Sequence, residues 1–180
     1  KPTQKIWLHG KHMTVTDAIA TPPSGQAIDL TFTELSTADA PSGVTYLTSE
    51  TPIPAGAVTL RLPYSTPYNL SLNSAYKVER DGEAYIVTQF EPLGAREAFP
   101  SFDEPRFKVP FTLSITAPAD DFVYANTPEN LSVVLDNGWV KHDFDTTPPL
   151  PTYLIAFGAG PYDVVEYVDL PATEVRDRPV

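Results

Sequence analysis

The 180-residue sequence has no cysteine, only three histidines and few basic residues. The lack of cysteine excludes disulfide bonds, thiolate metal sites and cysteine nucleophiles. Twelve Lys and Arg against 23 Asp and Glu give a formal net charge of −11. Nucleic acid and anionic lipid are poor partner candidates, because such a negative surface repels both. No apolar run reaches the roughly 18 residues of a membrane-spanning helix, so we expect no spanning segment.

The residues that are present favour strands and turns. Hydrophobic residues make up 42% of the chain and charged residues 19%, and 20 prolines and 9 glycines interrupt it at short intervals. This composition can bury a core, and the length suits one domain, taken here as residues 1–180. Alternating apolar positions such as Ile28, Leu30 and Phe32 predict half-buried strands. We therefore predict an all-β fold, a β-sandwich of antiparallel sheets.

Two dipeptides predict tight hairpin turns. Asp81-Gly82 separates strand-like residues 76–79 and 83–91, and Asn137-Gly138 separates residues 131–135 and 140–144. Both dipeptides tolerate the positive φ angles that two-residue hairpin turns require. Residues 92–99 predict one short helical turn, because a proline precedes good helix formers and another proline ends the segment.

Other strands have weaker signals. Residues 5–15 resemble a strand, residues 44–48 an edge strand, and residues 109–115 an alternating strand. The apolar stretch 152–159 predicts an inner strand covered on both faces. Val164, Glu166 and Val168 indicate a closing strand near the rim.

The three histidines do not predict a metal site. His9 and His12 would point to opposite faces of a strand, and His142 is better interpreted as a packed or rim residue. No His-Glu-x-x-His motif occurs in the chain. For Asp103 and Glu104, which lie in an aromatic stretch, we expect a salt-bridged structural loop. Arg96, Arg106 and Lys108 are the candidate partners of these two carboxylates.

Gln89 and Glu91 form the candidate binding site. They share one face of the predicted strand 85–91, about 6 to 7 Å apart along it, and Pro92 ends the strand at the sheet rim. An amide oxygen beside a carboxylate suits an ammonium group, which has three donors and one positive charge. From these residues alone, two polar side chains on a wet sheet face are the favoured interpretation.

Several motifs in the second half of the chain carry a resemblance to a known family. They are Thr88-Gln89-Phe90-Glu91-Pro92, Ala98-Phe99-Pro100, Phe102-Asp103-Glu104-Pro105, Ala125-Asn126-Thr127-Pro128 and Thr152-Tyr153-Leu154-Ile155-Ala156-Phe157. With them the chain resembles the zinc aminopeptidase family of membrane alanyl aminopeptidase (aminopeptidase N) and leukotriene hydrolase. The resemblance is specific over residues 76–162 and implies the saddle-like, all-β amino-terminal domain that precedes a thermolysin-like catalytic domain.

The resemblance also implies roles. The His-Glu-x-x-His and Gly-x-Met-x-Asn motifs of the family belong to the next domain, and neither occurs here. We therefore expect no catalytic residue and no bound metal in this chain, zinc in the full-length enzyme, and a downstream catalytic domain as partner. The position of Glu91 would bind the substrate's α-amino group, and that of Gln89 would line the pocket for the first side chain of the peptide.

Two other functions remain open at this stage. A stand-alone β-sandwich could bind or scaffold a partner without peptidase activity, because a fold does not by itself fix a function. A carbohydrate-binding sandwich is suggested more weakly by Trp7, Trp139 and nine tyrosines, which alternating strands explain more simply as core residues.

Overall fold

Short antiparallel strands make up the protein in the computed structural model, which describes residues 1–35, 38 and 43–165. The strands are β1 (Thr3–His9), β2 (Thr14–Val15), β3 (Ile19–Thr21), β4 (Ile28–Asp29), β5 (Thr31–Glu34), β6 (Val44–Ile53), β7 (Thr59–Arg61), β8 (Tyr64–Ser65), β9 (Ser74–Arg80), β10 (Glu83–Gln89), β11 (Ser114–Pro118), β12 (Phe122–Ala125), β13 (Glu129–Val134), β14 (Trp139–Phe144) and β15 (Phe157–Gly160). Within these described residues the only helical elements are two 3-10 turns, Ala95–Glu97 and Thr152–Leu154. The all-β prediction is confirmed, and so is the helical turn within residues 92–99. None of the helical elements in this part of the chain could cross a membrane.

The strands form several small antiparallel sheets. Their orders are β1-β6-β5, β12-β15-β10-β9, β11-β14-β13, β4-β3-β7 and the pair β2-β8. The four-stranded sheet carries the candidate site at the end of β10, so its construction decides how the site is presented.

Three clusters of buried side chains form the core. The first, around Leu8, Leu30 and Leu47, joins the sheets of the amino-terminal half. The second surrounds Phe90 and includes Ala95 and Ile155, and the third lies around Ala117, Val123 and Phe144. The second cluster lies directly beneath the segment that carries Gln89 and Glu91.

Both predicted hairpins are confirmed. β9 and β10 pair in continuous register from Glu83 opposite Arg80 to Gln89 opposite Ser74. Asp81 and Gly82 make the turn with φ angles of 55° and 86°, as a primed hairpin turn requires. β13 and β14 are joined through Gly138, which has a φ of 78°.

Two strand predictions were wrong in position. Residues 44–48 belong to the longer strand β6, which is the central strand of its sheet and not an edge strand. Pairing with β1 on one side and β5 on the other gives β6 its central place, and these long-range contacts leave no local sequence signal. Residues 5–15 do not form one strand, because the chain leaves β1 after His9 and bends at His12, whose φ is 60°.

Three later predictions also differ from the structure. Residues 152–159 divide into the 3-10 turn Thr152–Leu154 and strand β15, since an apolar run without alternation does not specify a strand. Of residues 109–115, only those from Ser114 onward enter β11, and Val109 makes an isolated bridge with Leu150. Val164 lies in no strand, and Glu166 and Val168 lie outside the described residues.

Candidate functional site

Gln89 is placed by the hairpin of β9 and β10. It is the last residue of β10 and lies opposite Ser74 in the ladder. The strand ends there, two residues earlier than the predicted 85–91. Glu91 therefore lies just beyond the sheet, in the segment that follows β10.

The alternation of exposure continues past the end of the strand. Gln89 and Glu91 are exposed, whereas Phe90 between them is only 2% exposed. The Phe90 ring packs edge-on against Phe99 and Phe157, with centroid distances of 5.7 and 6.1 Å. Because Phe90 points into the core, its two neighbours are directed away from the interior.

A tight turn fixes the backbone on the other side of Glu91. The Gly94 N–H donates to the Phe90 carbonyl oxygen at 2.7 Å, and the Glu91–Pro92 peptide bond is cis. A Cβ at Gly94 would lie 2.9 Å from the Gln89 carbonyl oxygen and 3.1 Å from the Ser74 nitrogen. Only glycine fits this close approach of backbone segments, so Gly94 holds the Glu91 turn against the end of the hairpin.

The acceptor groups of the candidate pair have no partner among the described residues. Within residues 1–35, 38 and 43–165, neither the Gln89 amide nor the Glu91 carboxylate makes a hydrogen bond or an ion pair. Both groups therefore remain available to a ligand, and an ammonium group is the ligand that their charge and acceptor oxygens suit.

A cleft of about 590 Å³ is bordered by Ser74, the residue opposite Gln89 in the hairpin. Its walls include Lys11, Asn69, Ser74 and Glu97. The Lys11 ammonium is 2.6 Å from one Glu97 carboxylate oxygen, and the Asn69 amide donates to the other at 3.0 Å. No feature of the sequence indicates that Ser74 borders the candidate site. In the structure this serine is fully buried and has a φ of 61°.

A buried ion pair braces the chain that follows Glu91. The Arg96 Nε donates to the Asp103 carboxylate at 2.6 Å, and an Arg96 terminal nitrogen donates to the Asp103 carbonyl oxygen at 2.8 Å. The Thr152 hydroxyl donates to the second carboxylate oxygen of Asp103. Glu104 pairs at the surface with Arg106 at 2.9 Å. The predicted salt-bridged loop is confirmed, with Arg96 and Arg106 as the partners.

The histidines take part in no metal cluster within the described residues, where no three His, Asp or Glu side chains come close enough to hold an ion. The imidazole of His142 lies with Nδ1 2.8 Å from a Glu129 carboxylate oxygen, and this contact lowers the pKa of Glu129. The Nδ1 of His9 is buried without a partner in this part of the chain. Burial, together with the nearby Arg96 charge, lowers the pKa of His9 from its usual 6.5.

Comparison with known proteins decides the family. The sequence profile of the peptidase M1 N-terminal domain matches residues 1–154. The chain belongs to this family. It is 31% identical to endoplasmic reticulum aminopeptidase 1 of Mus musculus over 163 residues, which covers 87% of this chain and 17% of that protein. It is also 31% identical to membrane alanyl aminopeptidase of Manduca sexta over 176 residues, covering 91% of this chain and 18% of the relative.

A shorter match extends the same relationship. Putative aminopeptidase-2 of Caenorhabditis elegans is 41% identical over 91 residues, or 51% of this chain and 5% of that protein. The chain thus spans less than a fifth of the length of these curated relatives. As an M1 amino-terminal domain, it corresponds to only one part of such aminopeptidases.

Proposed function

We propose that this domain serves a zinc-dependent aminopeptidase by holding the amino terminus of the peptide substrate. Glu91 binds the α-ammonium group, and Gln89 accepts a further hydrogen bond and borders the pocket for the first side chain. A free peptide amino group has a pKa near 7.7 to 8.0 and is mostly protonated at neutral pH. Its charge and its donors therefore match this acceptor pair.

One observation carries the proposal: two exposed acceptor side chains, with no partner in the part of the chain that the structure describes, flank the buried Phe90 at the rim of the sheet. The rigid backbone around them supports a binding role. Phe90 packs into the core on one side, and Gly94 packs against the hairpin on the other. A charged group fixed in this way can position a ligand without first paying the cost of ordering a loop.

Membership of the M1 family implies zinc in the full-length enzyme. The described residues do not fit as its ligands, since they contain no cluster of His, Asp and Glu that could hold an ion. Residues outside the described ones would therefore hold the metal, and zinc bound there would supply Lewis-acid chemistry. The contribution of this domain is to bind and orient, because a fixed amino terminus places the first peptide bond at a defined distance from the domain.

Steady-state kinetics of the full-length enzyme test the proposal. Glu91→Gln removes the charge and keeps the size, and Glu91→Ala removes the whole group. For Glu91→Ala we expect a loss of ~2 to 4 kcal/mol in transition-state binding, which is roughly a 30- to 1000-fold fall in kcat/KM.

Glu83→Gln is the matched control, because Glu83 is an exposed glutamate at the opposite end of the same strand. Its kcat/KM should equal that of the wild type. Unchanged kcat/KM in both Glu91 variants would refute the proposal that Glu91 contacts the substrate.

A further inference from the structure

The hydroxyl group of Thr88 joins strand β10 to strand β15. It donates to the Phe157 carbonyl oxygen at 2.9 Å and accepts from the Phe157 N–H at 3.0 Å. A threonine hydroxyl has one donor hydrogen and two acceptor lone pairs, so one side chain serves both backbone groups of the same residue. Thr88 is half-buried and immediately precedes Gln89.

These two hydrogen bonds lie where the backbone pairing of the two strands has ended. In the described part of the chain, β10 and β15 are paired at one position, Ile86 opposite Ala159. Two residues further along each strand, the same antiparallel register brings Thr88 opposite Phe157. There the Thr88 side chain makes the connection in place of a backbone pair. The hydrogen-bonded attachment of this end of β10 to β15 thus depends on a single hydroxyl group.

Phe157 holds both neighbours of Gln89. Its backbone binds Thr88, and its ring packs against the Phe90 ring at a centroid distance of 6.1 Å. Thr88 and Phe90 share one face of the extended segment, and Gln89 and Glu91 share the other, because successive side chains alternate. Anchoring the first two residues on β15 therefore fixes the direction in which the acceptor pair points.

The position of Phe157 is itself fixed by its surroundings. The Asn126 side-chain amide donates to the Leu154 carbonyl oxygen at 2.9 Å, and the Ala156 N–H donates to the Asn126 side-chain oxygen at 2.8 Å. All four residues of β15 also pair with β12. Phe157 is thus a fixed point to which the end of β10 is attached.

We propose that Thr88 is a positioning residue for the substrate site and acts through Gln89 and Glu91. This inference rests on the proposed function, in which these two side chains hold the amino terminus of the peptide. The Thr88 hydroxyl is half-buried and uses its hydrogen atom on Phe157, so it orients the acceptor pair and does not bind the peptide. A displacement of about 1 Å at a binding group can lower a rate on the order of 100-fold, because the reacting bond is displaced with it.

Variants of the full-length enzyme test the role of the hydroxyl. Thr88→Val replaces it by a methyl group of similar size and removes the partner of the Phe157 N–H and carbonyl. Thr88→Ser keeps the hydroxyl. Thr88→Ala removes it without adding a methyl group, and it provides the same comparison if the valine variant does not fold. Thr45→Val is the matched control, because Thr45 is fully buried on a different sheet and its hydroxyl donates to the Leu8 carbonyl oxygen at 3.4 Å.

We expect Thr88→Val to lower kcat/KM about tenfold, and Thr88→Ser to stay within about threefold of the wild type. Thr45→Val should keep the wild-type kcat/KM, although it also loses a buried hydroxyl. An equal fall in Thr45→Val would overturn the proposal, because the effect would then not be specific to the end of β10.

A double-mutant cycle separates positioning from general stability. Thr88→Val is also measured in the Glu91→Ala background, where the charged contact that Thr88 would position is already lost. We expect its effect on kcat/KM to fall there from about tenfold to about twofold. A purely structural role, which lowers the fraction of folded enzyme, would lower kcat/KM equally in both backgrounds.

Two kinds of failure can be told apart. Equal effects in both backgrounds, a serine variant as impaired as the valine variant, or wild-type kcat/KM without the hydroxyl would overturn the positioning role while the Glu91 contact stands. An unchanged kcat/KM in Glu91→Ala would refute the proposed function, and the positioning role with it. Only the second failure leaves Glu91→Ala like the wild type.

Discussion

Replacing Asp103 by asparagine removes one carboxylate charge from a buried ion pair while the shape of the side chain is kept. The Arg96 and Asp103 side chains are only 6% and 3% exposed, and they meet at 2.6 Å. In the variant, the Arg96 guanidinium stays buried but faces a neutral amide. Removing one partner of a buried pair typically costs 3 to 5 kcal/mol, since the remaining charge loses its compensation.

The expected loss lies at the lower end of this range. Asparagine can still accept a hydrogen bond from Arg96 through its side-chain oxygen, so we expect Asp103→Asn to lower the free energy of unfolding by about 3 kcal/mol. For a chain of this size, that loss corresponds to a fall in Tm of roughly 6 to 12 °C. Urea unfolding followed by circular dichroism measures the free energy directly.

The neighbouring residue provides the control. Glu104 pairs with Arg106 at 2.9 Å, but these side chains are 43% and 71% exposed. Solvent screening makes such surface pairs weak, so Glu104→Gln should cost less than about 1 kcal/mol. If Asp103→Asn costs no more than Glu104→Gln, the buried pair does not brace this loop and the reasoning is refuted.

Two further predictions concern stability. Gly94→Ala places a methyl group 2.9 Å from the Gln89 carbonyl oxygen, against backbone that cannot easily move, and should cost about 1 to 3 kcal/mol in thermal unfolding. Gly10→Ala meets only side-chain atoms, the nearest at 3.3 Å, and should cost less. Equal costs for the two variants would contradict the steric argument. His9 has a lowered pKa in the folded protein, so the unfolded state binds more protons, and stability should fall as the pH drops below about 6.5. His9→Gln should reduce this slope in urea unfolding at successive pH values, and an unchanged slope in the variant would contradict the argument.

Features of the fold that depend on neighbouring residues could be predicted from the sequence. Asp81-Gly82 and Asn137-Gly138 fix their hairpins locally, because few residues accept the backbone angles of the turns. The place of β6 at the centre of its sheet depends on pairing with β1 and β5, which are distant in sequence. The strand predicted for residues 152–159 was wrong for another reason. An apolar run without alternation lacks the two-residue period that identifies a strand.

In the candidate site, too, the features set by neighbouring residues could be predicted, and those set by tertiary contacts could not. The exposure of Gln89 and Glu91 follows from alternation around Phe90, and this could be predicted from a short segment. The partner of Asp103 could not be chosen from Arg96, Arg106 and Lys108, because all three are close in sequence. The choice depends on the short 3-10 turn Ala95–Glu97, which buries Arg96 together with Ala95.

The structure also explains why Glu91, and not Glu97, is the carboxylate of the proposed substrate site. Both glutamates lie in the segment that follows β10, and both are near the end of the β9 and β10 hairpin. The Glu97 carboxylate already receives the Lys11 ammonium on one oxygen and the Asn69 amide on the other. A substrate amine at Glu97 would have to replace these contacts, and Lys11 would repel it. Glu91 has no such partner within the described residues. Of these two glutamates, Glu91 is therefore the one whose charge a peptide amino terminus can neutralise without breaking an existing ion pair.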